Sequence, residues 1–248
     1  MKGFILILLP LFFCITIWNY RNNTTYRSKT ENAIPDSLYP SPNLVVTYHT
    51  KWAKNHYKER INYFKQHPLS QHDIVFIGNS IIEQGGDWGK RFGHSNIKNR
   101  GISGDVTEGV LNRLGEINYI QPKAVFVLCG INDLLAYKSA NFVVNNTLKI
   151  VQKIHKQSPT TKVYIQTILP TDKVDLVGKI QEINIQLKNK ATANNYTVID
   201  LHSLFADSND LIKPTLTYDG THPNEAGYNE WMNFEKYILD QLINYPTK

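Results

Sequence analysis

The sequence predicts an α/β fold: a three-layer α/β/α sandwich around a five-stranded parallel sheet. Two observations predict it. Short apolar runs ended by glycine or proline alternate with stretches whose apolar residues recur every three or four positions, the pattern of buried strands separated by amphipathic helices. In addition, Ser80, Gly104, Asn132, Asp219 and His222 each stand just after a strand run or in a loop before a helix, at the edge where open parallel sheets bind ligands.

Taken in order, Phe4 to Trp18 is an apolar run broken by Pro10 and Thr16 and preceded by Lys2. Its length fits a secretory signal and is short for a membrane span. No small-residue cleavage pattern follows, and Phe13 before Cys14 does not suit a lipoprotein signal. Residues 1–20 are therefore read as a signal peptide or an uncleaved membrane anchor, and the protein as exported: periplasmic, extracellular or membrane-anchored. Residues 21–43 are polar with Pro35, Pro40 and Pro42, and read as a linker without packed structure; the domain is expected over 44–248. Asn22, Asn23, Asn145 and Asn195 begin glycosylation sequons, which matter only in a glycosylating pathway.

Ala53, Tyr57, Ile61 and Phe64 recur at helical intervals within Thr47–Gln66, with Trp52 beside the stripe, and Pro68 ends this helix. Residues 74–78 form the first strand. The glycines at 85, 86, 89 and 93 do not make a P-loop: Gly85 and Gly89 are one residue too close and Arg91 follows Lys90. Residues 96–100 are a second, weaker strand, followed by a tight loop and a helix through Val110 and Leu114. Residues 124–129 are the strongest strand, and Val144, Leu148, Val151 and Ile154 mark the helix after it. A strand at 162–168, a helix carrying Ile180, Ile183, Leu187 and Ala191, and a strand at 197–201 follow. Pro223 suits the first turn of a last helix that buries Tyr228, Trp231, Ile238 and Leu242. Five strands with helices on both faces suit a doubly wound, flavodoxin-like arrangement.

Composition narrows the function. The net charge is +6, but Lys2, Arg21, Arg27 and Lys29 lie in the first 30 residues, which hold no acid. Of 27 basic residues, 23 remain against 21 acidic ones, which argues against a nucleic-acid surface. The basic excess beside the apolar run suits membrane proximity. Cys14 and Cys129 are placed too differently to pair, and Cys129 reads as a small buried hydrophobe.

The polar residues at the sheet edge form an acyl-transfer set. Ser80 is a weak nucleophile until a base takes its proton, and His222 is the candidate base. Asp219, three residues earlier, can reach back to fix the imidazole tautomer. The N–H groups of Ser80 and Gly104 and the amide of Asn132 are candidate oxyanion donors. Each residue alone also has a plain structural explanation: Ser80 as a helix N-cap, Asp219-Gly220 as a turn, Asn132-Asp133 as a cap. Their gathering at one edge is what those explanations do not predict. His202 is read as structural and the other histidines are given no role; Trp88 and Tyr218 are candidates for shaping the pocket.

The blocks Gly78-Asn79-Ser80, Gly101-Ile102-Ser103-Gly104-Asp105, Gly130-Ile131-Asn132-Asp133 and Asp219-Gly220-Thr221-His222 occur in this order. In this the chain resembles the SGNH (GDSL-type) hydrolase family. Residues 99–105 look most like the branch of platelet-activating-factor acetylhydrolase subunits and bacterial acetylesterases. The resemblance implies the SGNH fold and a serine ester hydrolase with catalytic Ser80, Asp219 and His222. It also implies an oxyanion hole of Ser80, Gly104 and Asn132, with no metal or cofactor. The family's first block usually has Asp where this chain has Asn79, which keeps one acceptor oxygen and loses the charge. The expected substrate is a small O-acetylated or short-acyl carbohydrate. Two alternatives stay open: a lysophospholipase or short-chain lipase, and a non-catalytic carbohydrate-binding module on the same scaffold.

Overall fold

A computed structural model describes residues 34–244. The expected signal or anchor, and residues 21–33 of the expected linker, lie outside the described residues. The rest of that linker is a correction. Ile34 and Tyr39 are buried in an apolar cluster with Tyr57, Ile61, Phe64 and Ile102, and a 3-10 turn spans Asp36–Leu38. Three prolines and polar neighbours exclude a regular helix or strand there, but single apolar side chains still dock one by one.

In chain order the elements are α1 (Lys51–Gln66), β1 (Ile74–Gly78), α2 (Ser80–Glu83), α3 (Trp88–Phe92), β2 (Ile97–Gly101), α4 (Thr107–Asn112), α5 (Gly115–Ile120), β3 (Ala124–Leu128), α6 (Ile131–Leu135), α7 (Ala140–Gln157), β4 (Lys162–Gln166), α8 (Val174–Lys190), β5 (Thr197–Ile199), α9 (Leu201–Phe205) and α10 (Glu225–Asn244). The strands form one parallel sheet in the order β2-β1-β3-β4-β5, the doubly wound arrangement expected. Helices α4, α5, α7 and α8 pack together as one layer, and α3, α9 and α10 as the other.

Element ends differ from the sequence expectation for local reasons. α1 starts at Lys51, not Thr47, because the Thr50 hydroxyl accepts the Ala53 N–H and caps it. Pro223 does not open α10: it bridges to Thr217, and the Asn224 side chain caps the helix by accepting the Gly227 N–H. The helix expected through Leu114 breaks into α4 and α5. Gly115 lies so close to the Leu38 carbonyl that a Cβ there would sit 1.9 Å from its oxygen.

Register builds the core. Phe76, Phe126 and Tyr164 stand directly opposite one another on β1, β3 and β4, with ring centroids 4.8 and 4.5 Å apart. Trp88 of α3 stacks on Phe76 at 4.8 Å, and Trp231 of α10 packs on Trp88 at 5.1 Å. Trp88 is thus a wholly buried core residue. Each such aromatic pair adds about 0.5–1.5 kcal/mol beyond burial alone. Cys129 is free and buried, as read from its strand position.

Buried charges then tie the strand ends together. The Asp105 carboxylate accepts hydrogen bonds from Arg113 Nε (2.9 Å) and His49 Nε2 (3.0 Å). The same Arg113 guanidinium donates to the carbonyls of Gly78 (2.8 Å) and Arg100 (2.6 Å), at the C-terminal ends of β1 and β2. Arg100 in turn holds Glu116 through two bonds of 2.9 Å.

Two outcomes follow from these buried groups. Arg113→Met should cost about 3–5 kcal/mol in denaturant unfolding, because it strands the Asp105 carboxylate without its cation; a loss under about 1 kcal/mol would refute that role. Burial pushes the Glu235 carboxyl of α10 up to about 8, against the hydrogen bond donated by Gln166. Its neutral form therefore contributes stability in full below the ordinary carboxyl value, and that contribution is lost as pH rises through about 8. Glu235→Gln has no proton to lose, so its melting temperature should rise relative to wild type between about pH 5 and about pH 8; a constant difference would show no titration at this position.

Candidate functional site

β1 delivers Ser80. Its residues 74–77 are wholly buried, and Gly78 lies so close to the Leu128 carbonyl that any Cβ would overlap it. Asn79 then turns the chain: its Oδ1 accepts the Ile81 N–H at 3.1 Å, so Asn79 is the N-cap of α2. The capping acceptor survives the change from the family's usual Asp. Ser80 is consequently the first helical residue and not the cap, which leaves its hydroxyl free for another partner. Its N–H, in the first turn, has no intrahelical acceptor.

That partner is His222. Ser80 Oγ lies 2.8 Å from His222 Nε2, and His222 Nδ1 lies 2.7 Å from Asp219 Oδ2. With Nδ1 carrying the proton toward the carboxylate, Nε2 is left to accept from the serine hydroxyl. Asp219 Oδ1 also accepts the backbone N–H groups of Thr221 (3.0 Å) and His222 (2.8 Å). Partial burial opposes its charge, but the bonds from His222 and Thr221 outweigh this and hold the carboxyl below its usual range. The loop is pinned at both ends: Thr217 Oγ1 donates to the His222 carbonyl at 2.7 Å, and the Gly220 carbonyl accepts the Asp172 N–H at 2.8 Å. Gly220 has φ +81°, and a Cβ there would strike the Asp172 carboxylate.

Gly104 and Asn132 reach the same edge from the two strands that flank β1. Gly78 is in register with Gly101 on β2 and Leu128 on β3, so the segments leaving those strands lie on either side of Ser80. Residues 102–105 make a tight turn closed by the Asp105 N–H on the Ile102 carbonyl, with Gly104 at φ +78°. The Asn132 amide donates one hydrogen to the Asp105 carbonyl at 2.8 Å, which fixes its orientation and leaves its second hydrogen without a partner among the described residues. The neighbouring Asp133 carboxyl is pushed up to about 6 by burial, opposed by the hydrogen bonds that the Thr107 hydroxyl and N–H donate to it.

Several supporting residues have no sequence signal. His49 is buried on Asp105, and the Ser103 N–H is held by Glu83, which also takes hydrogen bonds from His56 at 2.9 and 3.0 Å. Burial opposes the Glu83 charge, but these bonds keep its carboxyl below the usual range. No local motif marks them, because each partner lies 20 or more residues away. Tyr218 stands at the site: its ring is parallel to His222 within 13°, and its hydroxyl donates to Gln84. His202 is 9% exposed in α9. Among the described residues no group of three or more His, Cys, Asp or Glu could hold a metal ion. A groove of about 930 Å³ runs along the β2 edge past Arg60, Lys90 and Lys98, but neither Ser80 nor His222 lines it. The convergence of polar groups, and not this volume, marks the site.

Known proteins place the chain. The GDSL-like lipase/acylhydrolase family matches residues 76–229, which span all four sequence blocks. Over 198 residues the chain is 29% identical to platelet-activating factor acetylhydrolase IB subunit alpha1 of Pongo abelii, covering 76% of this chain and 83% of that protein. A GDSL-like lipase from Bacteroides thetaiotaomicron superposes with a TM-score of 0.64 at 23% identity, over 78% of this chain and 98% of its own. A carbohydrate esterase family 3 structure from Talaromyces cellulolyticus gives 0.55 at 18% identity, over 71% of this chain and 100% of its own. These two likenesses are of fold. With the family match running from the first strand to the last helix, the chain belongs to the GDSL-like lipase/acylhydrolase family and is a carboxylic ester hydrolase.

Proposed function

We propose that the protein removes O-acetyl or other short acyl groups from a carbohydrate through a serine acyl-enzyme. One observation carries the chemistry: an unbroken hydrogen-bonded line from Ser80 through His222 to Asp219, with links of 2.8 and 2.7 Å. In this reading His222 Nε2 takes the Ser80 proton as Oγ attacks the acyl carbon. The carbonyl oxygen gains the negative charge, and the N–H groups of Ser80 and Gly104 and the free Asn132 amide hydrogen receive it. His222 returns the proton to the leaving alcohol. A water then repeats the attack on the acyl-enzyme, with His222 as base, releasing the carboxylic acid and restoring Ser80. Asp219, already held charged, stabilises the imidazolium in both halves.

The choice of a short acyl group on a sugar draws on the acetylhydrolase and carbohydrate-esterase names among the similar proteins. Intact Ser80–His222 geometry favours an enzyme over a binding module, which has no use for an activated hydroxyl.

Three measurements test this. Ser80→Ala should abolish hydrolysis of 4-nitrophenyl acetate while circular dichroism stays that of wild type; retained turnover would remove Ser80 as nucleophile. Asn132→Ala should lower kcat by about 10²–10³-fold with little change in KM, whereas a rise in KM alone would make Asn132 a ground-state contact. Rates on 4-nitrophenyl acetate, butyrate and octanoate should fall in that order, and a maximum at octanoate would transfer the assignment to a lipid ester.

A further inference from the structure

Two exposed aromatic rings border the candidate site, Tyr218 against His222 and Trp52 against the Gly104 loop, and both are linked to the helix turn that follows Ser80. Trp52, near the start of α1, is 60% exposed, and Tyr218 is 61% exposed. Large aromatic side chains gain by burial, so a fixed and exposed pair at a site is informative.

Trp52 is fixed on one face. It stacks on His56 with ring centroids 4.8 Å apart and planes within 13°. His56 donates to both oxygens of Glu83, and Glu83 accepts the Ser103 N–H beside Gly104. The indole edge reaches that loop: a Cβ built on Gly104 would lie 3.6 Å from Trp52 Cζ3. On the other side, the Tyr218 hydroxyl donates to Gln84 at 2.6 Å and its ring lies parallel to His222. Glu83 and Gln84 are consecutive, so one short segment sets both rings relative to Ser80.

We infer that Trp52 is the stacking platform of a sugar-ring subsite beside the Gly104 loop, with Tyr218 as the opposite wall. This rests on the ester-hydrolase reading above and assigns it the part of the substrate that is not cleaved. A pyranose presents an apolar C–H face and a rim of hydroxyls. A flat indole with one face exposed, beside the polar loop of Ser103 and Gly104, matches that alternation. An alkyl chain gains most from a concave apolar channel, which two separate flat rings do not form. Because Trp52 is already stacked on His56, itself held by Glu83, binding freezes little side-chain freedom.

The test compares Trp52→Ala, Trp52→Phe and wild type on an acetylated xylo-oligosaccharide and on 4-nitrophenyl acetate. For Trp52→Ala the ratio of kcat/KM, oligosaccharide over 4-nitrophenyl acetate, should fall about tenfold, chiefly through KM, and Trp52→Phe should restore most of it. An equal loss on both esters would overturn the subsite and make Trp52 a support for the Gly104 loop. A larger loss on 4-nitrophenyl octanoate than on the oligosaccharide would overturn it in favour of an acyl-chain wall. If wild type cleaves the oligosaccharide and Trp52→Ala keeps its ratio, the subsite alone fails. If wild type cleaves 4-nitrophenyl acetate and never the oligosaccharide, the carbohydrate assignment fails with it while the serine chemistry stands.

Discussion

A charged carboxylate deep in a protein must be paired or it will not stay charged, and Asp105 is wholly buried. Its partner Arg113 has a geometry that does more than neutralise it. One guanidinium edge meets the carboxylate, and the remaining donors meet the carbonyls of Gly78 and Arg100 at the C-terminal ends of β1 and β2. Those carbonyls belong to the strands that launch Ser80 and the Gly104 turn. The Asp105 carbonyl in turn receives the Asn132 amide from beyond β3. A single desolvated ion pair therefore sets the relative positions of three chain segments, and a looser arrangement would leave several buried polar groups unpaired at once.

Around that pair the polarity of the molecule is graded. The sheet centre is aromatic and dry, with Phe76, Phe126 and Tyr164 in line across three strands. The strand ends carry buried ion pairs. The outermost layer, at the C-terminal edge, carries partly exposed groups: the His222 side chain is 21% and the Asp219 side chain 40% exposed. Rigidity comes from below and access from above, which is how the fold reconciles a fixed hydroxyl with an open approach for an ester.

The N-terminal elements widen this edge. α1 is an ordinary packing helix by its stripe of Ala53, Tyr57, Ile61 and Phe64, all buried. Its first two turns nevertheless bring Trp52 against the Gly104 loop and His56 onto Glu83, and the segment before it contributes His49 to Asp105. A helix that precedes the first strand thus reaches the same edge as the loops that follow the strands.

By itself the sequence determined the alternation of strands and helices, because buried parallel strands must read as apolar runs and their covering helices as stripes. It also determined which polar residues share an edge, since every strand in a parallel sheet points the same way. The four short blocks were legible for the same reason: each is local, within a few residues of a strand end or a helix start. What only the tertiary structure decided lies between segments distant in the chain. Whether Ser80 caps a helix or faces His222 turned on Asn79 taking the capping role. The meetings of Asp105 and Glu83 with distant partners were invisible because His49 reaches Asp105 across 56 residues and His56 and Ser103 reach Glu83 across 27 and 20, and no periodicity encodes such meetings. Trp88 and Tyr218 looked alike in sequence, yet one fills the core and the other borders the site, because a tryptophan on the inner face of α3 meets Phe76 while a tyrosine beside a pinned loop meets water.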